Sequence, residues 1–171
     1  MKRLAVIVGT TIAALVLTAA SFAARTAVPN NLPDAKMDIA MWADTVYAAN
    51  ANTGYKPVAA GQQDNFFPQG AGVTFRMSAV EMGTGKVLTA ADMKQAYIVI
   101  PNQPIVRLAY GPISNAPKAP SVWTGTWLVP ADYAVGVVDL KILVRTKTNK
   151  LGIYKQIPVA SSQLTIAAKP A

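Results

Sequence analysis

The 171-residue chain contains no cysteine and no histidine. Disulfides, thiolate nucleophiles, His-based triads, blue-copper sites and His- or Cys-bound zinc are therefore all excluded. Acids are also scarce, eight against sixteen bases. They are spread along the chain without a pair at motif spacing, which gives no support to carboxylate-pair catalysis. Gly83-x-Gly85-Lys86 is too short for a phosphate loop and no helix follows it. The sequence thus points away from an enzyme, and it calls for no cofactor and no metal.

What the chain has in plenty is apolar residues, 52% of the total, and they fall into two kinds of pattern. At the start, Lys2 and Arg3 precede an uncharged run from Leu4 to Ala20, and Ser21-Phe22-Ala23 follows with small residues at the positions a signal peptidase reads. Residues 1–23 are thus expected to be a secretory signal cleaved before Ala24, with a retained membrane anchor as the alternative. Residues 24–35, with Pro29, Pro33 and Asn30-Asn31, read as a flexible tether, and residues 36–171 as one domain of ordinary size. The expected location is exported, periplasmic or extracellular. Membrane contact is expected only through the leader if it stays uncleaved.

Without Lys2 and Arg3, fourteen bases face eight acids, a net charge of +6. The bases stand singly except around one hairpin, where Lys141, Arg145, Lys147, Lys150 and Lys155 gather. No basic stripe interleaves with aromatics, so nucleic acid is not an expected partner.

The second pattern is a succession of short alternating or apolar runs closed by Gly, Pro or Asn. Met37 to Ala43 puts Met37, Ile39, Met41 and Ala43 on one face. Val73 to Val80 sets Val73, Phe75, Met77 and Ala79 against Thr74, Arg76 and Ser78, and the segment from Met82 to Lys86 turns the chain. Ala90 to Gln95 can form one short helical turn. Ala96–Ile100, Ile105–Tyr110 and Ser121–Val129 read as further strands, with a proline-rich loop carrying Pro112, Pro117 and Pro120. Gly136 to Thr146 reads as a single strand with Val138, Leu140, Ile142 and Val144 inward and Asp139, Lys141 and Arg145 outward. Gly152–Val159 and Gln163–Ala167 complete the set. Seven to eight short strands without intervening helices predict an all-β, antiparallel, two-sheet sandwich.

Three stretches together carry a resemblance. They are Phe67-Pro68-Gln69-Gly70 leading into Val73-Thr74-Phe75-Arg76, then Trp123 to Gly136, then Ser161 to Ile166. They resemble the immunoglobulin-like or fibronectin-III-like modules of bacterial exported proteins, over roughly residues 62–167. The resemblance implies an immunoglobulin-like sandwich serving as a binding or spacer domain, and no reaction. Tyr133 is placed either for a tyrosine-corner bond or as a cap on the core.

The candidate contact residues are aromatic and basic. Trp42 shares parity with Asp38 and Asp44, on the face that should be polar; it is either an interface anchor or, through a bulge, a core residue. Trp123 and Trp127 share a face and either fill the sandwich or form an exposed ladder. Arg145, Lys147 and Lys150 would make one end of the domain basic. The expected role is an accessory or protein-interaction subunit whose partner is another envelope or secreted protein, met through these residues, the proline-rich loop or an edge strand. The alternative is a small carrier of a ligand or of Cu(I) bound by Met37, Met41, Met77 or Met82; the plainer reading has these thioethers filling gaps in the core.

Overall fold

A computed structural model describes residues 38–48 and 61–169. The expected leader, the tether and Met37 lie outside the described residues. Among those residues there are twelve strands, no α-helix and one 3-10 turn at Ala160–Ser162. No helix among them is long and apolar enough to cross a membrane.

The first sheet has the order β1 (Ile39–Tyr47), β3 (Gly72–Glu81), β8 (Ser121–Leu128), β7 (Ala109–Pro112), with β4 (Lys86–Val87) beside the end of β3. The second runs β11 (Leu151–Lys155), β10 (Lys141–Thr146), β5 (Met93–Val99), β6 (Val106–Arg107). Both are antiparallel. A third, small sheet joins β2 (Phe66–Pro68), β12 (Thr165–Ala167) and β9 (Gly136–Val137). Its β2–β12 pair is parallel, a departure from the all-antiparallel expectation.

The two main sheets face each other across one core. Phe75, Met77, Trp123 and Trp127 of the first meet Ile98, Ile142 and Val144 of the second. The alternation expected of β3 is realised: Val73, Phe75, Met77 and Ala79 are buried, and Thr74, Arg76 and Ser78 are not. Two glycines set how closely the sheets approach. A Cβ on Gly125 would lie 2.8 Å from the Arg107 carbonyl oxygen and 2.9 Å from the Leu108 side chain. A Cβ on Gly152 would lie 2.8 Å from Val144 Cγ2 and 2.9 Å from Ile39 Cβ. Any larger residue would force the layers apart at these points.

Several expected strands change partners along their length. The run from Ile105 to Tyr110 divides at Leu108, so that β6 pairs with β5 in one sheet and β7 with β8 in the other. The chain crosses between the layers there, as strands do at sandwich corners. Gly136 to Thr146 is likewise not one strand: β9 pairs with β12, and β10 begins only at Lys141. Val138, Leu140, Ile142 and Val144 are all buried as expected, but so is Lys141, at 8% exposure. Its strand lies between β11 and β5, whose side chains can cover the aliphatic stem. The segment from Ala90 makes one short turn, in which the Asp92 and Met93 N–H groups both donate to the Thr89 carbonyl, and β5 already starts at Met93.

Candidate contact surface

The outer face of the first sheet is built from the even-numbered residues of β1, β3 and β8. Across β1 and β3, Trp42 stands opposite Ser78, and Asp44 opposite Arg76. Across β3 and β8, Arg76 stands opposite Thr124, and Thr74 opposite Thr126. The register from Ile39 to Tyr47 is unbroken. Without a bulge the alternation cannot turn Trp42 inward, and it remains 57% exposed. An exposed indole is uncommon enough that surrounding chemistry gives it meaning.

That chemistry is fixed in place. Arg76 Nε and Nη2 grip the two Asp44 oxygens at 2.8 and 2.5 Å, a bidentate pair of defined geometry. The carboxylate's hydrogen bonds hold the guanidinium still more firmly protonated. Thr74 and Thr126 share a hydroxyl–hydroxyl bond of 2.9 Å. From the far side of the sheet, Ile113, at the start of the proline-rich loop, and Val122 border the same depression as Trp42, Arg76 and Ser78, a hollow of about 370 Å³. Ile113 is itself 43% exposed. The result is a face with an apolar rim, a central ion pair and a row of hydroxyls. It can bind by contact.

The other two tryptophans do not belong to this surface. Trp123 and Trp127 point inward and are 6% and 4% exposed. Their indole N–H groups donate to the Leu88 carbonyl at 2.9 Å and to Gln103 Oε1 at 3.3 Å, as buried indoles require. Tyr110 tilts against Trp123 at 5.3 Å, and Tyr133 meets Trp127 edge-on at 4.9 Å. The expectation that Trp123 and Trp127 offer partner contacts is therefore corrected: inward parity makes them core. Tyr133 also departs from the tyrosine corner, since its hydroxyl lies 3.5 Å from the carbonyl of Pro101, in a separate hairpin.

The basic hairpin lies elsewhere, at the end of the second sheet. Arg145 and Lys147 are exposed there and make no ion pair among the described residues. Lys150, in contrast, is bound to the Glu81 carboxylate at the end of β3. That bond and the Thr84 hydroxyl lower the Glu81 carboxyl. Nearby, Lys86 and the Thr89 backbone and hydroxyl hold the Asp92 carboxyl down to about 2. Lys150 is thus internally paired rather than a free charge of this basic end, which charge counting along the sequence could not show.

A second concavity, of about 530 Å³, opens between the edges of the two sheets. Ala43 and Thr45 of β1 form one side, Tyr154 and Gln156 the other, and Phe75 and Ile142 its floor. Burial pushes the Tyr154 phenol up. Sequence reasoning missed this groove because it depends on where two edges diverge. Of the methionines considered for Cu(I), Met77 is buried in the core, Met41 packs against it, Met82 sits exposed in a turn, and Met37 lies outside the described residues. Comparison with protein-family models, curated proteins and solved structures returned no match to the chain.

Proposed function

We propose that this protein is an exported, non-catalytic, immunoglobulin-like β-sandwich that acts as a protein-interaction or accessory subunit, docking through the outer face around Trp42. The observation that carries the reading is Trp42 itself, 57% exposed on an unbroken strand beside the Asp44–Arg76 pair. Tryptophan and arginine are the residues most enriched among interface hot spots. A preformed ion pair next to the indole supplies orientation without ordering cost on binding. The leader pattern of residues 1–23 supports export, and the partner is then another envelope or secreted protein.

The test is site-directed photo-crosslinking in the native cell envelope. A photo-reactive phenylalanine analogue at position 42 should capture a discrete partner. The same analogue at position 145, on the basic hairpin, should capture that partner much less. Equal capture from both positions, or capture from 145 alone, would move the contact surface to the hairpin and overturn the assignment to the Trp42 face.

A further inference from the structure

The groove between the sheet edges lies round the corner from Trp42, and the two hollows share Ala43, Asp44 and Gln63. Its volume of about 530 Å³ falls within the usual range of small-molecule sites, about 300–1,000 Å³. Phe75, Ile142 and Leu164 floor it and are almost wholly covered, so a guest meets the walls more than the floor. The two walls differ in chemistry. On one side stand Tyr154 and Ile157, an aromatic and an aliphatic side chain, with Ile157 61% exposed. On the side of Thr45 the wall is polar and carries the Asp64 carboxylate.

Asp64 is anchored on three sides. Its N–H donates to the Thr45 carbonyl, and its own carbonyl accepts the Thr45 hydroxyl. Its side-chain Oδ1 accepts the N–H groups of Asn65 and Phe66 at 2.7 and 2.9 Å, which turns the chain into β2. One oxygen does all of this, and an asparagine would make the same turn. The second oxygen and the negative charge are left over. They meet no hydrogen bond and no ion pair among the described residues. The other carboxylate of the lining, Asp44, is different, because Arg76 occupies both of its oxygens. No lysine or arginine among the described residues lines the groove. In a chain with sixteen bases and eight acids, an anchored acid without a base faces the groove ready for a cation from outside.

That cation is not a metal ion. One free carboxylate oxygen falls far short of the roughly six to eight oxygen ligands that calcium takes. No three side chains able to hold a metal gather among the described residues. An ammonium group, by contrast, needs only a carboxylate and a few acceptors around it.

The opposite wall sets what the ammonium is attached to. The Tyr154 hydroxyl has no hydrogen-bond partner among the described residues, and burial pushes the phenol up, which keeps it neutral. Its ring suits an aromatic or apolar body, and covering the exposed Ile157 adds hydrophobic gain. We propose that this groove binds a small organic amine, its ammonium on Asp64 Oδ2 and an apolar, ring-sized body between Tyr154 and Ile157. The site goes beyond the protein contact at Trp42 and does not depend on it.

Phenethylamine, a cation at neutral pH, is the probe. Phenethyl alcohol and 3-phenylpropionate keep its ring and two-carbon chain and change only the head group. Titrated into the isotope-labelled full chain, the amine should saturably shift the Thr45, Asp64, Tyr154 and Ile157 amides. The alcohol should bind about tenfold more weakly or worse, the loss expected for a charge-assisted hydrogen bond, and the carboxylate should not bind there. Asp64→Asn keeps the oxygen that holds Asn65 and Phe66 and should lower amine affinity by a similar factor. Asp132→Asn removes the same charge from an exposed turn and should leave affinity unchanged. The proposal is overturned if the amine does not bind in the groove, if the alcohol binds as tightly, or if the two asparagine variants bind alike. The head-group comparison uses the unmodified chain, so it decides the matter even if Asp64→Asn fails to fold.

Discussion

The two faces of the five-stranded sheet use the same residue types for opposite ends. On the inner face Trp123 and Trp127 are buried, with both indole N–H groups bonded and aromatic partners within about 5 Å. On the outer face Trp42 lies 57% exposed beside an ion pair. Strand parity alone separates them. Tryptophan on this sheet is structural where alternation turns it toward the second sheet, and available for contact where it turns away.

The comparison can be broken first where its effects are largest. Trp123→Ala empties the centre of the core and should cost about 3–5 kcal/mol in denaturant unfolding; a loss below about 1 kcal/mol would mean the inner face is loosely packed. Gly125→Ala, on the same inner face, drives a methyl against the Arg107 carbonyl. Chemical denaturation should show a loss of about 1–3 kcal/mol, the usual range for overpacking. A neutral result would show that the sheets can separate at that corner.

A smaller effect separates buried stability from surface charge. The Asp92 carboxyl is held at about 2, below its ordinary value of 3.8, first by Lys86 and then by Thr89. A depressed folded value means that the unfolded chain binds the proton more readily. This contribution is complete above the ordinary value and is lost as pH falls toward 2. Melts recorded from pH 5 down to 2 should therefore show Asp92→Asn flattening the acid-side fall of Tm relative to wild type. An unchanged acid limb would mean that the Lys86–Asp92 contact does not persist in solution.

Much of this organisation was legible in the sequence. The parity of β3, the turn from Met82 and the inward set Val138, Leu140, Ile142 and Val144 follow from alternation, which reports burial directly. What alternation does not report is which strand supplies the hydrogen bonds. The inward set Val138, Leu140, Ile142 and Val144 continues unbroken although the backbone changes sheets between Val137 and Lys141. Lys141 is buried although its polar type marks it outward. The parallel pairing of Phe66–Pro68 with Thr165–Ala167 joins three-residue segments about a hundred positions apart, too short and too distant to leave a local signal. At the contact surface, Trp42 and its outward parity were readable. The Ile113 side of the hollow and the neutralisation of Lys150 by Glu81 depend on distant segments meeting.

The most direct test of the account is Trp42→Ala, assayed in parallel for thermal stability and for co-purification of the partner crosslinked from position 42. An exposed side chain outside the core should alter stability by no more than about 0.5 kcal/mol. As an interface anchor its loss should weaken partner binding by about 2 kcal/mol or more, roughly thirtyfold in affinity. The account predicts an unchanged Tm together with loss of the partner. An unfolded variant, or a stable one that retains the partner in full, would contradict it.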